Sequence, residues 1–342
     1  MGLKHPRYKV AVVQAAPIYL DLDATIDKTI ALINEAAASG AALIAFPETF
    51  IPGYPFHIWL DSPAWSIGRG FTNRYFDNSL AYDSPEADRL RAAVKAAGIT
   101  AVLGLSERYE SSLYIAQWIV GPDGDTVATR RKLRVTHVER TVYGEGDGSD
   151  LAVHDIPGLG RVGALSCWEH IQPLTKYAMF AQNEQVHIGA WPSFSIYDAF
   201  AFALGAEVNT AASRIYAVEG GCFVLAPCAV VSQAMIDELC DSPGKHDLLH
   251  VGGGAARIYG PDGRELATPL PQDAEGLLYA EIDLAAIPVA KAAADPVGHY
   301  SRPDVTRLLF NPTKTRRVEY IQTVDAEDEA DALSPVGTRI EV

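Results

Sequence analysis

"GRVGALSCWEH", residues 160–170, reads as a strand that stops at a thiol. Small and apolar residues lead into Cys167, and Trp168, Glu169 and His170 crowd it at once. A strand that ends in a reactive residue and runs on into a turn and a helix is a good mount for a nucleophile. The side chain is exposed at the sheet edge, and the backbone N–H groups that follow can face developing negative charge. A lone cysteine is more often a buried structural thiol. A thiol with an ordinary pKa of about 8.5 also needs a base or a positive neighbour to attack at neutral pH. Whatever helps Cys167 must come from elsewhere in the chain.

Outward from this strand, short apolar runs alternate with amphipathic stretches. Residues 9–17, 41–48, 99–109, 112–120, 186–194, 222–231, 254–263 and 276–285 read as strands. Residues 21–40 read as a helix, with Ile26, Ile30 and Ile33 at helical spacing and Gly40 as its stop. Residues 84–98 read as a second helix, Ser84 opening it in near capping-box form. Residues 173–184 and 201–221 are also helical. The segments "VGPDGDTVATRRKL" (120–133) and "YGPDGRELATPL" (259–270) share G-P-D-G-x-x-x-A-T. Both predict hairpins turning on Pro-Asp-Gly, and their match suggests two related halves. Two β-α-β halves packed sheet to sheet predict an α/β fold: a four-layer αββα sandwich, two mixed β-sheets face to face with helices outside. No linker separates the halves, so residues 1–320 are expected to form a single domain. Residues 321–342 form an acidic tail, expected to be mobile or docked at a subunit interface. Residues 58–80, rich in aromatics, and 232–254, polar and loop-like, look inserted.

Composition narrows the function. The 342 residues are 48% hydrophobic, enough for a sizeable core, with no run long enough to span a membrane and no secretory leader pattern at the start. Twenty-eight Lys and Arg against 43 Asp and Glu give a formal net charge of −15. That argues against nucleic acid as a partner and suits a cytoplasmic location. Four cysteines, Cys167, Cys222, Cys228 and Cys240, read as reduced thiols, and without a CxxC pair a metal site is not expected.

Three further stretches hold polar residues that could serve Cys167. "AFPETF" places Glu48 at a strand end, and "RRKLRVTHVE" holds Lys132 with Glu139 seven residues on. Taken singly, Glu48 could be a solvated loop acid, and Arg130, Arg131 and Arg134 suggest a solvated basic face around Lys132. Together, Glu in "FPET", Lys in "RRKL" and Cys in "SCWE", in that order, resemble the nitrilase superfamily of carbon–nitrogen hydrolases, across nearly the whole chain. "CWEH", "HVERTVYGEGDGSD" and "GHYSRPD" are similar to its nitrilase branch. One departure is Val135, where related nitrilases usually have Pro; it should affect loop stiffness beside Lys132. The resemblance implies the αββα sandwich and a Glu48–Lys132–Cys167 triad, often joined by a second Glu, here Glu139.

Such a site implies hydrolysis of an organic nitrile to a carboxylic acid and ammonia through a cysteine thioimidate and thioester. Glu48 would act as an ionised general base toward a neutral thiol. Lys132 and the Trp168 N–H would stabilise charge on the nitrile nitrogen, and Glu139 would keep Lys132 protonated. No metal or organic cofactor is required. Trp168, Tyr54, Trp59 and Trp191 are pocket candidates that could equally be packing, and His299 is placed near the pocket by resemblance. Aromatic flanks suggest an aryl or arylaliphatic nitrile as the small-molecule partner. A nitrile or cyanide hydratase releasing the amide is the alternative, an aliphatic amidase a weaker one, and a non-catalytic scaffold weaker still. A Cys167–His170 dyad is disfavoured by the three-residue spacing past a turn. The helix after Cys167 and the Ala-rich helix around Ala211 are candidates for a two-fold interface. The resemblance implies dimers that stack into larger oligomers or helical filaments, and the two insertions would make those further contacts.

Overall fold

In β1 (Arg7–Ala15), Val10 and Val12 join one buried cluster while Ala11 and Val13 join another. Period-two side-chain alternation puts a different neighbour on each face of the strand. The computed structural model describes residues 5–197, 200–316, 318 and 319, so the acidic stretch 321–342 lies outside the described residues.

The first half runs β1, α1 (Leu22–Ala38), β2 (Ala41–Ala45), three short helices α2 (His57–Leu60), α3 (Pro63–Gly68) and α4 (Phe71–Asp77), then α5 (Pro85–Ala97), β3 (Thr100–Tyr109), β4 (Ser112–Val120), β5 (Thr126–Arg131) and β6 (Tyr143–Gly144). The second half runs β7 (His154–Ile156), β8 (Gly160–Ser166), α6 (Pro173–Phe180), β9 (Val186–Ala190), α7 (Ala206–Gly220), β10 (Phe223–Ala226), β11 (Cys228–Ala229), α8 (Gln233–Leu239), α9 (Pro243–His246), β12 (Arg257–Tyr259), β13 (Gly276–Asp283) and α10 (Ala286–Lys291).

Two mixed sheets result. One has the order β11-β1-β2-β3-β4-β5, with β13 antiparallel to β1 and β6 beside β4; the other has the order β12-β10-β9-β8-β7. Their inner faces share one core: Val10, Leu43, Val102 and Ile115 from the first sheet with Val162, Ile188 and Leu225 from the second. The outer face of the first sheet packs Ala11, Ile44, Leu103 and Trp118 under Ile26 and Ile33 of α1 and Leu90 and Val94 of α5. The predicted pairing of sheets, with helices outside, is what forms.

The two Pro-Asp-Gly turns occupy matching places. In each half three parallel strands (β1-β2-β3, β8-β9-β10) are followed by an antiparallel one, β4 or β12, and the turn comes next. The first turn opens the β4–β5 ladder, and the second closes with a single bridge, Tyr259 to Glu265. Both predicted outer helices are capped. Asp21 accepts from Ala24 N and Ser84 from Ala87 N; with alanine at the third position, the α5 start lacks the reciprocal half of a capping box.

The inserted segments are more ordered than their weak periodicity predicts. Residues 58–80 hold most of α2 and all of α3 and α4, and residues 232–254 hold α8 and α9. These helices are four to seven residues long, too short for a 3.6-residue pattern to declare itself. The two insertions pack on each other. Arg74 pairs with Glu238 at 2.5 Å, Lys245 with Asp61 at 3.0 Å, and the Lys245 ammonium sits 3.3 Å from the centre of the Trp65 ring.

Leu90 is fully buried between α5 and the first sheet, remote from the inter-sheet face. Leu90→Ala should lower unfolding free energy by about 2–5 kcal/mol in urea titration, while turnover per folded molecule stays at the wild-type level.

Candidate active site

The ends of the central strands converge on one buried cluster. Past β2, Phe46 N still bonds Val102 O at 2.9 Å, and two residues on Glu48 N donates to Trp191 O at 3.2 Å. The acid is thereby held by the backbone that follows β9 in the other sheet. Lys132 directly follows β5. Its N–H donates to Ile115 O at 2.7 Å and its carbonyl accepts from Gly146 N at 2.9 Å. Glu139 lies on a 3-10 turn, His137–Thr141, and Cys167 begins another, Cys167–Ile171, at the end of β8.

The Lys132 ammonium donates to Glu48 Oε2 at 3.1 Å and to Glu139 Oε2 at 2.9 Å, and all three side chains are buried. Glu139 has its oxygens filled, since Tyr54 OH donates to Oε1 at 2.9 Å and Thr136 N to Oε2 at 2.6 Å. Glu48 differs: its Oε1 is buried and has no hydrogen-bond partner. The Cys167 thiol feels the charges of Lys132, Glu48 and Glu139, and the Trp168 N–H is directed at it. Only 7% of Cys167 is exposed, which leaves a narrow approach.

Electrostatics follow from this burial. Burial would by itself lower Lys132, but Glu139, Glu48 and Cys167 raise it well above its ordinary value, so it stays an ammonium. Burial raises the Cys167 thiol well above the usual range; Lys132 opposes the rise, and the two carboxylates add to it. Burial and the carboxylates both favour the neutral thiol. Burial also raises Glu48, against the pull of Lys132 and with help from Glu139, to about 8. One ammonium balances one carboxylate, and a second buried charge is disfavoured until about pH 8.

Among the pocket candidates, Trp59 Nε1 donates to Tyr54 OH at 3.0 Å, so a line of hydrogen bonds runs from Trp59 through Tyr54 to Glu139. The Trp59 ring stacks on His137 and meets Tyr197 edge-on at 5.3 Å. Trp168 is partly exposed and lines a cavity of about 260 Å³ with Leu133, Val135, Thr136 and His137. Val135 itself is buried and packs into the inter-sheet core. Trp191 is held the other way: its indole N–H donates to Ser213 on α7 at 3.0 Å, and its ring stacks on His170. His299 is not brought to the cluster. It lies exposed in the segment after α10, its ring against Tyr300, because that segment runs along α6, where Tyr177 OH reaches Pro296 O. His170 is no partner of the thiol, since its Nδ1 lies 2.6 Å from the Cys167 carbonyl oxygen.

Three residues at the site were not singled out by sequence. Tyr197 is buried against Trp59, and Cys167, Glu139 and Glu48 bear on its hydroxyl electrostatically. Glu169 accepts from Ser166 N at 2.7 Å through Oε2, and from Leu133 N at 2.8 Å and Arg130 at 2.7 Å through Oε1. It ties the Cys167 turn to the Lys132 loop. Arg130 is therefore buried and paired, not part of a solvated face, whereas Arg134 is exposed. A signal was present: Thr136-x-x-Glu139 and Ser166-x-x-Glu169 both have the T/S-x-x-E form in which the acid reaches back to the first N–H.

The chain is similar to known proteins in sequence and in fold. The carbon–nitrogen hydrolase family model matches residues 9–292. A nitrilase of Pseudomonas syringae is 62% identical, over 92% of each chain. An aliphatic nitrilase of Rhodococcus rhodochrous is 52% identical over 93% of this chain and 87% of its own. An arylacetone-specific nitrilase of Alcaligenes faecalis is 52% identical over 89% and 84%. In fold, the chain is similar to the NitFhit protein of C. elegans, with a TM-score of 0.71 at 19% identity, over 92% of this chain and 70% of that one.

Replacing Glu169 by Gln weakens its hold on Arg130 and leaves a buried guanidinium without a counter-charge. Thermal and urea unfolding of Glu169→Gln should show a loss of about 3–5 kcal/mol; a change below about 1 kcal/mol would deny the clamp its structural role.

Proposed function

The chain belongs to the carbon–nitrogen hydrolase family, in its nitrilase branch, and from that premise we propose that Cys167 attacks the carbon of an aryl or arylaliphatic nitrile, with Glu48 as general base. The observation that carries this reading is the free, buried Oε1 of Glu48, paired through Oε2 with Lys132, in a cluster whose charges bear on the Cys167 thiol.

The ionised form of Glu48 takes the thiol proton as sulfur bonds to the nitrile carbon. The displaced π electrons move to nitrogen, where Lys132 and the Trp168 N–H meet them, and the proton passes on to give the thioimidate. Water, deprotonated through Glu48, adds to that carbon; ammonia leaves, and a thioester remains. A second water releases the carboxylic acid and restores the thiol. Glu139 holds Lys132 protonated and aimed, and Tyr54 holds Glu139.

The aromatic wall of Trp59, Tyr54 and Tyr197, together with the partly exposed Trp168, supports a flat ring near the reacting carbon. We read residues 1–320 as one catalytic domain acting in the cytoplasm; among the described residues no helix is long and apolar enough to cross a membrane. Self-association through α6 and α7 is favoured by exposed Leu174, Ile215 and Val218 on those helices, and Ile171 beside α6 extends the same apolar surface. The paired insertions, with Ile67 and Val251 exposed, are suited to further contacts that would build oligomers or filaments.

Cys167→Ala should fold and release no ammonia from any nitrile. With phenylacetonitrile, mandelonitrile, benzonitrile, fumaronitrile and cyanide assayed separately for acid, amide and ammonia, acid should dominate. The value of kcat/KM for phenylacetonitrile should exceed that for fumaronitrile by about tenfold or more; the reverse order would remove the aromatic assignment, and dominant amide would make the enzyme a hydratase.

Because Glu48 must lose its proton to act, kcat/KM should rise with pH to a plateau above about 8. Glu139 helps to raise Glu48, so Glu139→Gln should move that rise to lower pH, whatever it costs in kcat. An unmoved rise would assign the titration to another group.

A further inference from the structure

Behind the nucleophile lies a second buried polar cluster that the mechanism above does not use. Tyr216 OH donates to Glu184 Oε2 at 2.6 Å. Glu184 Oε1 lies 2.7 Å from His187 Nδ1, His187 Nε2 lies 2.9 Å from His170 Nε2, and His170 Nδ1 lies 2.6 Å from the Cys167 carbonyl oxygen. All four side chains are buried.

The protons in this chain can be placed by elimination. A carbonyl oxygen only accepts, so His170 Nδ1 carries hydrogen. Burial, with His187 beside it, pushes His170 down to about 3, so the ring is neutral and its Nε2 is bare. His187 Nε2–H must then donate to it. Burial lowers His187 well below its ordinary value, which keeps it neutral and leaves Nδ1 as an acceptor. With both rings neutral, Glu184 as a carboxylic acid donates to His187 Nδ1, and burial raises it to about 8. Every hydrogen bond points one way, from Tyr216 to the peptide of the nucleophile.

The sheet is cut to admit this chain. A Cβ on Gly163 in β8 would stand 2.0 Å from Glu184 Oε1, and one on Gly189 in β9 would stand 2.9 Å from His170 Nε2. The His187 ring stacks on Tyr216 at 3.8 Å and the His170 ring on Trp191 at 5.0 Å. The Arg130–Glu169 ion pair bears electrostatically on both histidines. Apolar residues could fill such a space without the desolvation that these groups incur.

We propose that Glu184, His187 and His170 are positioning residues that aim and polarise the Cys167–Trp168 peptide, so that the Trp168 N–H is the oriented donor to the nitrile nitrogen. The Cys167 carbonyl and the Trp168 N–H belong to one peptide unit. A hydrogen bond drawn onto the oxygen strengthens the N–H as a donor. It also fixes the peptide plane at a residue whose φ of 49° is left-handed and strained for a non-glycine. This inference rests on the reading of Cys167 as nucleophile and Trp168 N–H as charge-stabilising donor.

The test compares His170→Leu, which keeps bulk and removes the donor, with His170→Asn, whose amide N–H can stand in for Nδ1–H. On phenylacetonitrile, His170→Leu should lose about a hundredfold in kcat, with KM changed less than about threefold, and His170→Asn should recover most of that loss. Alkylation of Cys167 by iodoacetamide develops no charge on a nitrile nitrogen, so it should proceed at similar rates in both variants. Equal kcat in Leu and Asn variants overturns the proposal, as does a loss confined to KM. Wild-type turnover that survives complete alkylation of Cys167 overturns the nucleophile reading and the proposal with it. Should the leucine variant fail to fold, Glu184→Gln decides: its amide reproduces the acid's donor and acceptor, so kcat within about threefold of wild type upholds the proton order, and a folded variant down more than about tenfold refutes it.

Discussion

A buried ammonium held between two carboxylates is the constraint around which the site is built. Withdrawing Lys132 from water would cost several kcal/mol were it unpaired, and Glu48 and Glu139 at 3.1 and 2.9 Å prevent that. The pairing also dictates asymmetry. Two buried carboxylates beside one ammonium leave a surplus charge, and the structure resolves it by treating them differently. Glu139 is saturated by Tyr54, Thr136 and Lys132, while Glu48 keeps one oxygen unpartnered and is pushed upward to where it can exchange a proton near neutral pH. The hydrogen-bond counts alone already set the two carboxylates apart.

The backbone around these groups is strained in a consistent way. Thr49 beside Glu48, His137 at the start of the Glu139 turn, and Cys167 itself all have left-handed φ, at 47°, 46° and 49°. Such non-glycine residues cost about 1–3 kcal/mol each and persist where neighbours over-determine them. Glu139 and Glu169 each reach back to the first N–H of their turn, Glu169 also grips Leu133 N beside the lysine, and Glu48 N is tied to Trp191 O across the inter-sheet space. None of these turns is held by its own segment only.

Much of the fold was legible because its strands and outer helices are long enough for their periods to be read. Ile26 and Ile33 do face the first sheet, and the matched Pro-Asp-Gly turns do follow equivalent strands. The insertions were not legible, since short helices carry no period. At the site, Glu48, Lys132 and Glu139 were legible as motifs and do meet, and Cys167 lies within their field. His299 shows the limit of a motif without geometry: its stretch matches, yet the chain carries it to the α6 side. Glu169 and His170 were hidden for another reason. Both sit beside Cys167 in sequence, and adjacency drew attention to the thiol, whereas their partners, Arg130, Leu133 and His187, are remote and appear only when the two sheets pack.

The two sheets also divide the chemistry. The first supplies the acid and the amine from the ends of β2 and β5; the second supplies the thiol and its neighbouring N–H from the end of β8. A nitrile carries no net charge to offset one already in the site, so a fixed surplus of charge would have to be held in a dry pocket through every binding event. The upward shift of Glu48 limits that surplus. In the proposed mechanism charge on the nitrile nitrogen appears only as sulfur adds, when Lys132 and the Trp168 N–H would have something to stabilise. Differential stabilisation of that kind raises kcat, whereas charge present throughout would act on ground state and transition state alike.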